Sequence, residues 1–499
     1  MRSGFIAASL LLLGGCTTVG PDYVKPEVVV PDAWRVQPAE AETTANVNWW
    51  RTFNDPVLDE LVLVALENNR DVRIAAARIM EYASRVDIAR AGLYPQLGYG
   101  GDASRNQASR NTVNGVPSGV SRMSDQFQAG INLGWELDFW GRVERATEAA
   151  RADMLAAEAG RRSVILTLVS AVASSYIELR NLDRQLEIAQ ETLSKRKEGV
   201  DLFEIKFEGG VISELEVAQV ESEYEAAAVT IPVIELQISR LENALSVLLG
   251  LNPGPIQRGK SIDQLVLPAI PANIPSRVLQ DRPDIQSAEQ QLIAANARIG
   301  VVRAEYFPSV SLTGLLGFAS ADLSDLLQGA SNVWSLGAGL VGPIFTGGQL
   351  GAEVRVSEAV QQQTLQGYLR TVQNAFQEVD NALASTYKLR EELAARDRQV
   401  NALRRYATLA RNRYDEGYVS YIEVLDSERA LFDAELQFTR TQSSASVALI
   451  SVYKAMGGGW VVEAEDIANQ VDFPAPDAEQ EASWKDFPAR TLPSAQTIE

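Results

Sequence analysis

Residues 165–207 read ILTLVSAVASSYIELRNLDRQLEIAQETLSKRKEGVDLFEIKF. Apolar side chains recur every seventh position: Ile165, Val172, Leu179, Leu186, Leu193, Val200, Phe207. A strict seven-residue spacing marks a coiled-coil seam rather than the 3.6-residue stripe of a globular helix. From 141 to 207 there is no proline and little glycine, so nothing interrupts the helix. At 1.5 Å per residue it reaches roughly 100 Å. No compact domain of this size needs that length. Something has to be bridged.

The pattern occurs twice. Val372, Val379, Thr386, Leu393, Val400, Ala407 and Tyr414 each lie 207 positions after a member of the first seam. Upstream, Asp71-Val72 opens a stretch ending in Arg90-Ala91-Gly92-Leu93-Tyr94-Pro95. Asp284-Ile285 opens its counterpart, ending in Arg303-Ala304-Glu305-Tyr306-Phe307-Pro308, at an offset of 213. Phe207 to Val217 matches Tyr414 to Val424, and Glu221 continues the match onto Glu428. The chain is thus two copies of one unit, 49–260 and 261–460, between a leader (16–48) and a tail (461–499). Both flanks are rich in Pro, Glu, Asp and Ala, and the tail is expected to be loosely held.

Each copy reads as helix, two strands, long helix, tight turn, return helix. The long helices are expected over 141–207 and 348–415, the return helices over 213–249 and 420–456. Gly209-Gly210 and Gly417 make the turns, and Ser213 and Ser420 are N-caps. Pro232 is expected to kink or break the first return helix. Thr439 stands at the matching place in the second copy.

Strands are expected within 94–137 and 306–345. Phe127, Ala129, Ile131, Leu133, Trp135 and Leu137 alternate with Gln128, Gly130, Asn132, Gly134 and Glu136. Trp334, Leu336, Ala338 and Leu340 alternate with Ser335, Gly337, Gly339 and Val341, and the partners are Leu97–Ser109 and Ser309–Phe318. Apolar-out, polar-in segments with flanking aromatics suit a transmembrane β-barrel, and equally a half-buried soluble sheet. In lipid, four strands cannot close, and an open edge is not tolerated. Since the smallest barrels need about eight strands, a membrane reading requires several chains to share one barrel.

Composition narrows the function. The 499 residues carry a formal charge of −20, with 46% hydrophobic and 22% charged residues and no histidine. His-based triads and His- or Cys-based zinc sites are excluded, and the acidic balance argues against nucleic-acid binding. No run of 18 or more apolar residues appears, so a membrane helix is not expected. Arg2, the apolar run Phe5 to Leu13, and Leu13-Gly14-Gly15-Cys16 have the anatomy of a secretory signal over 1–15. Leu-Gly-Gly-Cys resembles a bacterial lipobox, with Gly14 a less usual choice, and Cys16 is the only cysteine of the chain. By that resemblance Cys16 is lipidated, and Thr17 in place of Asp favours the outer membrane.

Arg282-Pro283-Asp284-Ile285 through Phe307-Pro308, Leu248-Leu249-Gly250-Leu251-Asn252-Pro253, and Phe345-Thr346-Gly347-Gly348 resemble the TolC-type outer membrane factors, particularly the NodT/OprM-like lipoproteins. The likeness covers the mature chain apart from its tail. It implies a mainly α fold with long antiparallel hairpins forming an α-barrel. Each chain would add four strands to a twelve-stranded barrel in a homotrimer. It also implies a periplasmic adaptor, an inner-membrane pump of the resistance-nodulation-division class, and passage of small toxic molecules without chemistry, hence no enzyme and no cofactor besides the lipid. The family's periplasmic gate maps onto Tyr414, Ile422, Glu423, Asp426 and Arg429. Glu423 and Asp426 are three apart and share a helix face. In a trimer they make six carboxylates around one axis, and Asp426–Arg429 pairs could latch neighbouring helices. The first copy has Glu216, Gln219 and Ser222 at the places of Glu423, Asp426 and Arg429, so only the second hairpin would carry the latch. Gly210, Val211, Ser213, Gly417, Val419 and Ser420 are the expected adaptor-docking tips. Two rivals share many of these features: a duct of the same fold serving protein secretion, and a non-conducting periplasmic coiled-coil scaffold.

Overall fold

The computed structural model describes residues 18–31, 34–35, 48–111, 117, 119–267, 282–457 and 459–469. Cys16 and most of the tail lie outside the described residues. Helices α1 (Pro56–Asn68) and α2 (Arg70–Ala91) lead into strands β1 (Gln96–Gln107) and β2 (Met123–Leu137). Then come the long helix α3 (Arg142–Glu208) and its return α4 (Glu214–Leu248). The second copy supplies α5 (Pro283–Ala304), β3 (Ser309–Ser320), β4 (Asn332–Val341), α6 (Gln349–Asp415) and α7 (Tyr421–Met456), and α8 (Trp460–Asn469) follows. The duplication is metrical. Both long helices have 67 residues, with starts at 142 and 349 separated by 207. Both short helices have 22, with starts at 70 and 283 separated by 213.

The four strands form one antiparallel sheet in the order β1-β2-β3-β4, with β1 and β4 at its edges. Its register builds two unlike faces. Tyr99, Ile131, Leu316 and Trp334 pair across the four strands as one row, every member more than half exposed. The neighbouring row on the other face is Gly98, Asn132, Leu315 and Ser335. This is the inside–outside alternation of a barrel wall. All four strands meet their helices at the same end, and α2, α3, α5 and α6 pack in the order of the strands above them. At this junction Trp135 Nε1–H donates to Leu93 O (3.0 Å) and Trp140 Nε1–H to Pro308 O (2.8 Å). The Trp140 ring stacks on Phe307 at 4.6 Å.

Midway along the helices lies the main core. Ile165, Val172, Leu179, Val372 and Val379 of the two seams are buried in it. Trp49, Trp50, Tyr453 and Trp460 add a cluster of rings 5.5–6.0 Å apart. The start of the expected loose tail is therefore a folded helix: Trp460, Val461, Ala464 and Ala468 of α8 are buried, and Arg162 pairs with Glu465 at 2.8 Å. One stretch of α3 is apolar enough on average to cross a membrane, although no unbroken apolar run exists. More than half of that stretch (56%) is buried by the chain itself, which makes it core.

Two further expectations are corrected. Pro232 does not break α4, which runs through it from Glu214 to Leu248. Its neighbours Ile231 and Ile234 pack on Leu182 and Phe432, and this burial outweighs the lost hydrogen bond. At the tip Phe207 is not in the seam but 44% exposed, and Phe203, one turn earlier, is buried instead.

Candidate gate and docking tips

Both hairpins reverse at a glycine in the left-handed region, Gly210 (φ +70°) and Gly417 (φ +78°), where any side chain would be strained. The space around both is open. Val211 is 74% exposed, Ser213 and Ser420 are exposed, and Val419 is half-buried. The six tip residues thus sit at the far ends of the two hairpins, away from the sheet.

The return helices start differently. In the first hairpin Glu216 reaches back and accepts from the Ser213 backbone N–H at 2.8 Å, closing a cap. In the second, Glu423 is likewise three residues after Ser420, yet among the described residues its carboxylate makes no hydrogen bond or ion pair. Only its backbone N–H is used, donating to Ser420 O at 3.2 Å. The Glu423 charge is left to face a groove between α4 and α7. Ile422, Glu423, Asp426 and Arg429 line it from α7, and Leu215, Gln219, Ser222 and Glu223 from α4. Four of the five expected gate residues therefore share one place. Arg429 donates to Asp426 Oδ1 at 2.8 Å and approaches Glu223 Oε1 at 3.7 Å. Within one chain, then, the arginine links its own helix to the first hairpin.

Tyr414 does not line this groove. It belongs to an apolar cluster under the tips with Phe203, Tyr421 and Val424. Its ring lies 4.9 Å from Tyr421, and Phe203 lies 4.2 Å from Tyr421. Lys206 Nζ donates to the Tyr414 hydroxyl at 3.2 Å and sits 5.3 Å from the centroids of Phe203 and Tyr414. Reading the sequence for carboxylates and glycines missed this layer. Arg196 is buried beneath the groove, donates to Glu223 O, and lies over the Phe432 ring at 5.4 Å. Burial lowers the Arg196 pKa from its ordinary value, with Glu223 opposing. Arg411 donates to the Tyr421 hydroxyl (3.3 Å) and approaches Glu428 (3.9 Å). Burial raises the Glu428 carboxyl above the usual range, against the pull of Arg411, Arg196 and Lys195 and with some help from Glu223. The match of Glu221 onto Glu428 was the one sequence signal pointing there. Among the described residues no group of three His, Cys, Asp or Glu could hold a metal ion. What the arrangement can do is mechanical: helix pairs held by exposed charges above a ring-packed cluster.

The outer membrane efflux protein family model matches residues 61–251 and 274–458, one match per copy. The chain is 35% identical to the probable efflux pump outer membrane protein TtgC of Pseudomonas putida, over 94% of this chain and 98% of that one. It is 34% identical to the probable outer membrane lipoprotein SilC of Salmonella typhimurium (91% and 98% covered). Identity to the cation efflux system protein CusC of Escherichia coli O6:H1 is 36% (90% and 97%). The crystal structure of the Campylobacter jejuni CmeC outer membrane channel aligns with a TM-score of 0.85 at 26% identity, over 91% of this chain and 99% of that one. Duplicated hairpins, a four-strand sheet with one apolar face and this breadth of similarity converge: the chain belongs to the outer membrane efflux protein family.

Proposed function

We propose that the chain is the outer-membrane exit duct of a tripartite efflux pump, working as a homotrimer through which small toxic molecules pass unaltered. The observation that carries this reading is the sheet. It has one apolar face, one polar face and two edges that have no partner strand among the described residues, and the helices below it keep the strand order. Three such sheets, joined edge to edge, supply twelve strands and leave no open edge in lipid. The helices beneath would continue the wall as a tube, with 67 residues spanning about 100 Å of periplasm. Cys16 would carry the lipid that anchors each chain to the outer membrane. Gly210, Val211, Ser213, Gly417, Val419 and Ser420 would meet a periplasmic adaptor, which couples the duct to an inner-membrane pump of the resistance-nodulation-division class. Ile422, Glu423, Asp426 and Arg429 would close the periplasmic end, with Tyr414 bracing α6 behind them. No step of this function requires a nucleophile or a cofactor.

The test is single-channel conductance of the detergent-purified protein in planar bilayers, comparing wild type with Asp426→Ala plus Arg429→Ala. Small, sparse openings that grow in the double variant are expected. No conductance from either, together with solubility without detergent, would replace the duct with a periplasmic scaffold.

A further inference from the structure

We infer that the groove between α6 and α7 is a binding site for amphiphilic monocations, with Glu178 of α3 receiving the positive charge, and that it opens onto the bore of the duct. The second half of this inference rests on the duct reading given above.

The groove holds about 600 Å³, within the range of pockets that take drug-sized molecules, about 300–1,000 Å³. Ala382, Ala448 and Ala455 form a buried apolar floor, and Asn381, Ser385 and Ser444 an exposed polar rim. From Ser443 to Ala455 the floor runs about 18 Å along α7. The two ends differ in charge. Toward the sheet, Lys454 lines the groove and Arg282 pairs with Glu378 at 2.7 Å. At the other end Glu178 is held by neutral donors: it accepts from the Ser443 hydroxyl (2.7 Å) and from Asn181 Nδ2–H (3.1 Å). Among the described residues no cation pairs with Glu178. Its carboxylate is thus fixed in place, uncompensated, at one end of an apolar trough. An ammonium or amidinium group on an elongated apolar body matches both features.

The groove lies on the face of the wall opposite a belt made by Trp49–Phe53, α1, residues 256–264 and α8. Tyr176 of α3 donates to Asp55 (2.7 Å), Arg180 to Lys260 O (2.8 Å), and Gln442 of α7 to Ile262 O (3.2 Å). Tyr453 stacks on Trp49 at 5.5 Å. Groove residues stand two positions from these: Glu178 between Tyr176 and Arg180, Ser444 after Gln442, Ser451 before Tyr453. Two steps turn a helix by about 200°, so the groove faces away from the belt. A belt inside the tube would fill the bore. Outside, it leaves the groove facing inward.

The duplication shows where the room comes from. Offset by 207, the places of Ser443, Ala448 and Ala455 are held in α4 by Leu236, Leu241 and Leu248. The groove exists because α7 is small where α4 is large. Being open along its length, it holds cargo loosely, as a passage requires.

The experiment is equilibrium binding of the fluorescent monocation rhodamine 6G to the full-length protein in lipid nanodiscs. Anisotropy is read against empty nanodiscs, with uncharged N-phenyl-1-naphthylamine as a second probe. Glu178→Gln keeps the shape and removes the charge. Ser444→Arg, on the exposed rim, guards against a folding artefact by placing a cation beside an intact Glu178. Both should weaken rhodamine 6G binding by about fivefold or more, and Glu178→Gln should leave the uncharged probe within about twofold of wild type. Wild-type binding no greater than that of empty nanodiscs, equal affinity in all three proteins, or loss of both probes in Glu178→Gln would overturn the site. In planar bilayers rhodamine 6G should interrupt the wild-type current, with interruptions about fivefold shorter in Glu178→Gln. Charge-dependent binding to a channel that conducts without interruption would overturn the bore-facing half alone. The same binding with no conductance at all would uphold the site and overturn the duct reading together with that half.

Discussion

Removing one cation from the groove between α4 and α7 gives the sharpest expectation for the gate. Arg429→Ala takes away the partner of Asp426 at 2.8 Å and one of the partners of Glu223 at 3.7 Å, leaving Asp426 and Glu423 close together without that cation while Glu223 keeps Arg196 at 3.3 Å. The Arg429 and Asp426 side chains are 57% and 59% exposed, so the pair belongs to the surface class, at about 0.2–1 kcal/mol. Three copies around one axis sum to roughly 0.6–3 kcal/mol, and each 1.4 kcal/mol is about a tenfold change in an equilibrium. The closed-to-open ratio should thus fall between about threefold and a hundredfold. The assay is open probability in planar bilayers at 0.1 M and 1 M salt. Because the screening length shrinks from about 10 Å to about 3 Å between those conditions, the difference from wild type should contract at high salt. Arg429→Lys, which keeps the charge, should recover much of the closed state. An open probability in Arg429→Ala within twofold of wild type at 0.1 M would refute the reasoning. So would an effect of equal size at both salts, since that would be packing rather than charge.

Three other perturbations read different parts of the molecule. Burial raises the Glu428 carboxyl, so the folded chain holds its proton more tightly than the unfolded chain; stability tied to this group grows as pH falls toward the unfolded value and is lost as pH rises through the folded one. Glu428→Gln should accordingly raise the Tm more at pH 8 than at pH 5, as read by thermal unfolding at both. Trp460→Ala, at a side chain 1% exposed and ringed by Trp49 and Trp50, should cost about 3–5 kcal/mol in denaturant unfolding, while Val462→Ala, 52% exposed on the same helix, should cost little. Pro232→Ala restores an N–H and removes a ring clash at an exposed position of α4, so unfolding should become harder by about 1–3 kcal/mol.

How much of this was legible beforehand depends on whether a feature is periodic or singular. The seven-residue spacing from Ile165 and its echo from Val372 announced two long hairpins, and the helices fall within one residue of the expected bounds at most ends. Alternation at Phe127–Leu137 announced which residues share a face, because a strand has only two. The tip was harder. Phe203 rather than Phe207 enters the cluster because the seam ends where the chain must turn, and the last heptad position no longer faces a partner helix. The tail expected from 461 starts within a folded helix because ten residues of α8 are too few for a periodic signal; only the structure shows Val461, Ala464 and Ala468 buried beside the Trp460 ring, which packs on Trp49 and Trp50. At Pro232 the local cost is visible in the sequence, whereas the contacts of Ile231 and Ile234 that keep α4 continuous are not.

The two copies also show where function has pulled a repeated scaffold apart. Much of the wall is held in common: long helices of 67 residues and short helices of 22 in both copies, and matched glycine turns. At the tips, Glu216 is spent closing the cap of α4, whereas Glu423 at the same step of α7 stays free beside Asp426 and Arg429. A carboxylate engaged with its own backbone resists movement of that helix start, and a free one leaves the start held by charges and by the rings of Phe203, Tyr414 and Tyr421. If these residues form the proposed gate, the second hairpin would be the one to swing at low cost, with the first as its fixed post. Charge reversal would follow the same division: Glu216→Lys should weaken a cap and leave the open probability alone, and Glu423→Lys, pairing with Asp426, should hold the duct closed.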